Sequence, residues 1–155
     1  MSSKDTDKYF MEYAISLAKQ ASEAGNEPFG AILVKDDIIM WETENKVKTN
    51  TDPTAHAELK LVSDFCSKNK ITDLSSYTLY TSCEPCCMCS GAIVWSKIGR
   101  VVYSLSHSQL ASIAGFNIMI SSEDVFSSSP FSPEVTGEIM IEKSISLYTG
   151  YFKRK

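Results

Sequence analysis

The sequence has little of what several functional classes require. No run within its 155 residues is long and apolar enough to cross a bilayer. The opening stretch, Met1 to Lys8, is polar and charged and lacks the apolar core of a secretory signal, so a cytoplasmic protein is expected. Positive charge is scarce: 15 Lys and Arg stand against 19 Asp and Glu, a formal net charge of -4, and the pI is about 5.2. Such a balance offers a phosphate backbone no general attraction and argues against a large nucleic acid as partner. The one dense basic run, Lys153-Arg154-Lys155, reads as a solvated, frayed terminus. Internal repeats and low-complexity linkers are missing, and the length suits one domain over residues 1–155.

What is present alternates between two periodicities. Asp7 to Ala24 has apolar residues at three- and four-residue steps, a helical face of Phe10, Tyr13, Ala14, Leu17, Ala18 and Ala21, with Gly25-Asn26 as a stop. Phe29 to Lys35 and Ile38 to Glu42 read as a hairpin around Asp36-Asp37. A polar loop follows over Thr43 to Thr51. Asp52 as cap and Pro53 at the first helical position predict a helix to about Cys66. Tyr77 to Thr81 and Gly99 to Ser104 read as strands. Pro85 to about Ser96 reads as a helix, Ser127-Ser128-Ser129-Pro130 as an exposed loop, and Ile139 to Phe152 as a last helix. This order predicts an α/β layered domain with helices on both faces of a mixed sheet.

The five cysteines are Cys66, Cys83, Cys86, Cys87 and Cys89, and four of them fall within seven residues. A disulfide scaffold spreads its cysteines to staple distant loops, whereas dense clustering reads as metal binding or redox chemistry. Cys86 and Cys89 share one side of a helix start, where the positive end of the helix dipole favours thiolate. With His56 they supply the three nitrogen and sulfur ligands of a catalytic zinc, one ion per chain, leaving its fourth position for water. Glu58, two residues from His56, reads as a proton carrier beside the metal and not as a ligand; that spacing works only where the metal sits near the helix end. A structural zinc site completed by Cys83 or Cys87, or a redox pair, are the competing readings. Cys66 reads as core, and His107, alone in a polar stretch, as a surface or loop residue.

The segments Pro28-Phe29-Gly30-Ala31, Asp52-Pro53-Thr54-Ala55-His56-Ala57-Glu58 and Thr81-Ser82-Cys83-Glu84-Pro85-Cys86, followed by Met88-Cys89, resemble the cytidine and purine deaminase superfamily. The similarity extends to about Phe116. It is greatest to bacterial guanine deaminases and related nucleoside deaminases, and tRNA adenosine deaminases share both motifs. The resemblance implies a three-layer α/β/α sandwich with a five-stranded mixed sheet. It implies a zinc-dependent aminohydrolase whose partners are a small-molecule base or nucleoside and a second copy of the chain, as a homodimer that shares its pockets. Guanine, giving xanthine and ammonia, is the favoured substrate. The alternatives are tRNA adenosine, cytosine, guanosine or an aminotriazine. The same resemblance gives Asn45 a hydrogen bond to the base, Phe29 a stacking contact, Ala57 a backbone contact and Trp95 a place in the pocket wall. Read without it, Phe29 and Trp95 are core and Asn45 is a turn residue. Two departures stand out. Asn117 and Ile118 occupy positions that are acidic in guanine deaminases, and the segment from Ser127 onward differs from their tail. A zinc-stabilised binding module without catalysis is the rival from another class, and Glu58 counts against it.

Overall fold

The computed structural model describes residues 2–153. Of the basic run at the C-terminus, Arg154 and Lys155 therefore lie outside the described residues. The elements run α1 (Ser3–Glu23), β1 (Gly30–Lys35), β2 (Ile38–Glu44), α2 (Val47–Asn50), α3 (Ala57–Asn69), β3 (Thr78–Cys83), α4 (Cys87–Ser96), β4 (Arg100–Leu105), α5 (His107–Ala114), α6 (Ser122–Ser127), β5 (Glu134–Thr136) and α7 (Ile141–Phe152).

The five strands form one sheet in the order β2-β1-β3-β4-β5. β1 pairs antiparallel with β2 and β3, and β3–β4 and β4–β5 are parallel, so the sheet is mixed as expected. Its hairpin turns at Asp36 and Asp37, with φ of 51° and 60°. Two positive-φ residues in a two-residue loop match the right-handed twist of the flanking strands.

Alternation along the strands separates two cores. Ala31, Leu33, Leu79 and Val101 point toward α3, α4 and α6, where they meet Leu61, Phe65, Ile93 and Phe126. Ile32, Val34, Tyr80 and Val102 point toward α1 and α7, against Phe10, Met11 and Ala14, with Leu147 packed on the edge. The three-layer α/β/α sandwich is thus built by period-2 strands between period-3.6 helices. At Gly30 a side chain has no room: a Cβ there would lie 2.5 Å from both Ala14 O and Ala18 N. The close approach of α1 to β1 fixes the chain next to Phe29.

Three local expectations need correction. The helix predicted from Asp52-Pro53 begins later, at Ala57, because Asp52 Oδ1 accepts from the Thr54 N–H (2.9 Å) and hydroxyl (2.7 Å), closing a side-chain turn. His56 is consequently the cap of α3 and not part of its first turn. Pro85 likewise lies outside α4, whose cap is Cys86. The loop expected over Thr43 to Thr51 holds the end of β2 and the short helix α2, with Thr51 left-handed at φ 50°.

Candidate active site

The site lies where β1, β3 and β4 meet the N-terminal ends of α3 and α4. His56 (φ -71°, ψ 151°) and Cys86 (φ -66°, ψ 172°) are both extended residues one step ahead of a helix. The α3 side therefore supplies His56 from the cap and Glu58 from the second helical residue. Side chains two apart diverge in a helix interior, but across a cap both reach the space beyond the helix end. Cys86 and Cys89 stand in the same relation at α4. Two helix N-termini bring their partial positive charge to this point.

The ligand atoms of His56, Cys86 and Cys89 all lie within 4.8 Å of one another. Cys86 Sγ is 3.6 Å from His56 Nδ1. A hydrogen bond from the Cys89 thiol, with His56 adding to it, lowers the Cys86 thiol to about 4. The bond to Cys86 in turn raises the His56 imidazole and the Cys89 thiol above their ordinary values. The donor set is soft sulfur with imidazole, the set zinc prefers in tetrahedral sites. Cys83 is buried at the end of β3, where burial drives its thiol well up. Cys87 begins α4, and neither belongs to the ligand cluster. Three protein ligands, not four, is the stoichiometry of a metal site with an open position. Cys66, on α3, packs at the margin of the core.

Glu58 is 5% exposed. Burial first, and the nearby Cys86 thiolate second, raise its carboxyl to about 7. A carboxyl at that value exchanges protons readily at neutral pH.

The cavity in front of this group is lined by Phe29, Asn45, His56, Glu58 and Cys86, and on its other side by Glu27, Cys83, Glu84, His107 and Leu110. Phe29 presents its ring there, tilted on Tyr148 at 5.4 Å between centroids. Asn45 is 2% exposed. Its Oδ1 accepts from the Val47 N–H at 3.0 Å, which orients the side chain and leaves the Nδ2 amide without a protein partner among the described residues. Ala57 is fully buried. Its carbonyl accepts from the Thr43 hydroxyl at 2.6 Å, and its N–H, at the first helical position, lies outside the helical ladder. Trp95 is placed differently: it is 88% exposed on α4 and outside the cavity lining.

Two residues that sequence reasoning missed complete the far wall. Glu84 Oε1 accepts from the His107 N–H at 2.9 Å, and Oε2 accepts from the Ser122 N–H at 3.0 Å and hydroxyl at 2.6 Å. One carboxylate thereby anchors the starts of α5 and α6. His107 is not the surface residue expected; it is 6% exposed. Two signals could have found it. Ser106 and Gln109 form a capping box that announces α5, and the residues just beyond a parallel strand's C-terminal end are where α/β sheets place ligands. Behind the site, the fully buried Tyr148 bonds Ser82 Oγ at 2.8 Å, and Ser82 Oγ accepts from the Gly30 N–H at 3.1 Å. This ties α7 to β3 and β1.

A layered α/β domain that gathers His56, Cys86 and Cys89 at converging helix ends, with a near-neutral buried carboxyl beside them, fits a metal-dependent hydrolase. The chain belongs to the family described as the cytidine and deoxycytidylate deaminase zinc-binding region, whose model matches residues 4–105. It is 44% identical over 109 residues to a guanine deaminase of Bacillus subtilis (strain 168), covering 70% of this chain and 69% of that one. It is 36% identical over 152 residues to a tRNA-specific adenosine deaminase of Buchnera aphidicola subsp. Baizongia pistaciae, covering 97% of this chain and 91% of that one. Among solved structures, a guanine deaminase from Nitrosomonas europaea superposes with a TM-score of 0.84 at 25% identity, over 94% of this chain and 84% of the other. The expected superfamily, fold, zinc and hydrolytic deaminase activity are thereby established. No described helix is long and apolar enough to cross a membrane.

Proposed function

We propose that the chain deaminates a small free base or nucleoside, guanine before the others, releasing xanthine and ammonia. The observation that carries this reading is one cavity holding the metal-ligand trio, the buried Glu58, the Phe29 ring and the oriented Asn45 amide. The identity to a guanine deaminase supports guanine over other bases.

His56, Cys86 and Cys89 would hold zinc, which when bound would supply Lewis acidity that lowers the pKa of water to near neutrality. Glu58 takes one proton from the attacking water and gives it to a ring nitrogen; it then takes the second from the hydroxyl this water has left on the ring carbon and gives it to the amine, so that the carbonyl forms as the carbon–nitrogen bond breaks and ammonia leaves. A carboxyl near 7 serves as base and then acid without a large energetic penalty in either direction. Asn45 donates from Nδ2 to the base, the Ala57 N–H adds a backbone contact, and Phe29 covers the ring face.

Trp95, at 88% exposed, and Phe116, at 87%, are large apolar side chains without cover in one chain. That exposure supports a homodimer in which Trp95 reaches the pocket of the partner. The second reading, a tRNA adenosine deaminase, is favoured by a relative that matches nearly the whole chain, and the net charge of -4 weighs against it. The test is kcat/KM for guanine against an anticodon stem-loop. Preference for guanine supports the proposal; preference for the stem-loop moves the substrate to RNA.

A further inference from the structure

One side chain of the far wall carries a polar atom that the chemistry above does not use. His107 lines the cavity. Its Nε2 lies 2.9 Å from Asn117 Oδ1. An amide oxygen only accepts, so Nε2 carries the proton, and in a neutral imidazole Nδ1 is then a bare acceptor. That Nδ1 is enclosed, and it is the one fully enclosed side-chain nitrogen or oxygen without a hydrogen-bond partner among the described residues. Buried polar atoms are nearly always paired, and an exception at a cavity wall calls for a ligand. The ring is also held in place: the His107 backbone N–H is fixed by Glu84, and the same carboxylate fixes Ser122 beyond the segment that carries Asn117.

We infer that His107 is a specificity-determining residue whose Nδ1 accepts a hydrogen bond from an N–H of the substrate. Asn117 is a positioning residue that holds the accepting tautomer. The substrate class this selects is a base with a donor N–H on the edge facing α5. An analogue of the same shape without that N–H leaves the buried acceptor unpaired, which is how a polar site rejects a near-isostere. The inference rests on the reading of the substrate as a nucleobase.

The test takes guanine, cytosine and adenine, each with derivatives in which one ring N–H is replaced by N-methyl, and measures kcat/KM on the zinc-loaded protein. With the base that the wild type turns over, one derivative loses about tenfold or more. His107→Leu loses a similar factor on the parent base and becomes nearly indifferent to that methyl, with zinc content unchanged. His107→Leu that keeps the wild-type preferences overturns this inference alone. A wild type that turns over none of the bases overturns the nucleobase reading and this inference with it.

Should His107→Leu not fold, the wild type answers by itself. It has two histidines, His56 and His107, so imidazole 15N resonances report on each. The inference expects His107 protonated at Nε2, with an Nδ1 resonance that shifts when the base binds. Protonation at Nδ1, or no shift on binding, overturns it. Asn117→Leu should mix the tautomers and lose the selectivity, whereas Asn117→Asp, which still accepts from Nε2, should restore both. A merely structural role for Asn117 would leave the tautomer as it was.

Discussion

Two buried polar clusters, at opposite ends of β3 and β4, are built on opposite principles. At the N-terminal end of β4, Asp7 accepts two hydrogen bonds from Arg100, at 2.9 and 2.7 Å, and one from the Tyr80 hydroxyl at 2.7 Å. Arg100 reaches Thr136 as well, at 3.0 Å. Burial works against the Asp7 charge, but Arg100 and Tyr80 outweigh it and hold the carboxyl below its ordinary value. Every charge there is matched, and the cluster pins α1 to β3, β4 and β5. At the other end, Glu58 is raised to about 7, Cys86 is lowered to about 4, and His107 Nδ1 has no partner among the described residues. A matched cluster stabilises; a mismatched one binds and reacts.

Substitutions that separate the two clusters sharpen the contrast. The largest effect belongs to the metal trio. His56→Ala or Cys86→Ala should drop zinc from about one per chain to near zero by atomic emission, with turnover falling below detection. Full metal content in either variant would remove that residue from the ligand set. Asp7→Asn comes next, at a stability cost of about 2 kcal/mol at neutral pH by denaturant unfolding, discounted because Arg100 is partly solvated. Zinc content and kcat should be unchanged. This cost depends on pH in a definite direction. The folded carboxyl titrates below the unfolded one, so its contribution is complete above the unfolded value of about 3.9 and is lost as pH falls through the folded value. The gap between Asp7→Asn and wild type should therefore close in acid; a gap that widens there contradicts the assignment. Glu84→Gln should be smaller still. It costs about 1 kcal/mol through weakened hydrogen bonds to α5 and α6 and raises KM severalfold more than it lowers kcat, because it shifts the far wall and not Glu58.

The same contrast explains what was legible beforehand. The strands and long helices were readable because period-2 and period-3.6 patterns survive in a chain that must fill two cores. The clustering of His56, Cys86 and Cys89 was readable because ligand chemistry demands rare residues at fixed spacing. Helix starts were misplaced at Asp52-Pro53 and Pro85 because turn-forming Asp and Pro satisfy a cap and a side-chain turn equally well, and only packing decides between them. Glu84 and His107 were hidden for another reason. Their roles come from contacts across 23 and 38 residues of chain, Glu84 with His107 and with Ser122, and no local pattern encodes such distances. α5 was within reach through its Ser106–Gln109 box, whereas the three residues of β5 are too short to show alternation. Trp95 shows a limit of a different kind: on a single chain it is exposed, and a pocket role requires a second copy.

The most direct test of the account is ammonia release by the zinc-loaded protein and by its Glu58→Gln variant, across guanine, guanosine, cytosine, adenine and an anticodon stem-loop. The account predicts release from guanine above the others. It also predicts a fall of about a thousandfold in Glu58→Gln at equal zinc content. Turnover that survives in Glu58→Gln would contradict the assignment of the buried carboxyl as proton carrier, and silence of the wild type on every base would contradict the proposed substrate class.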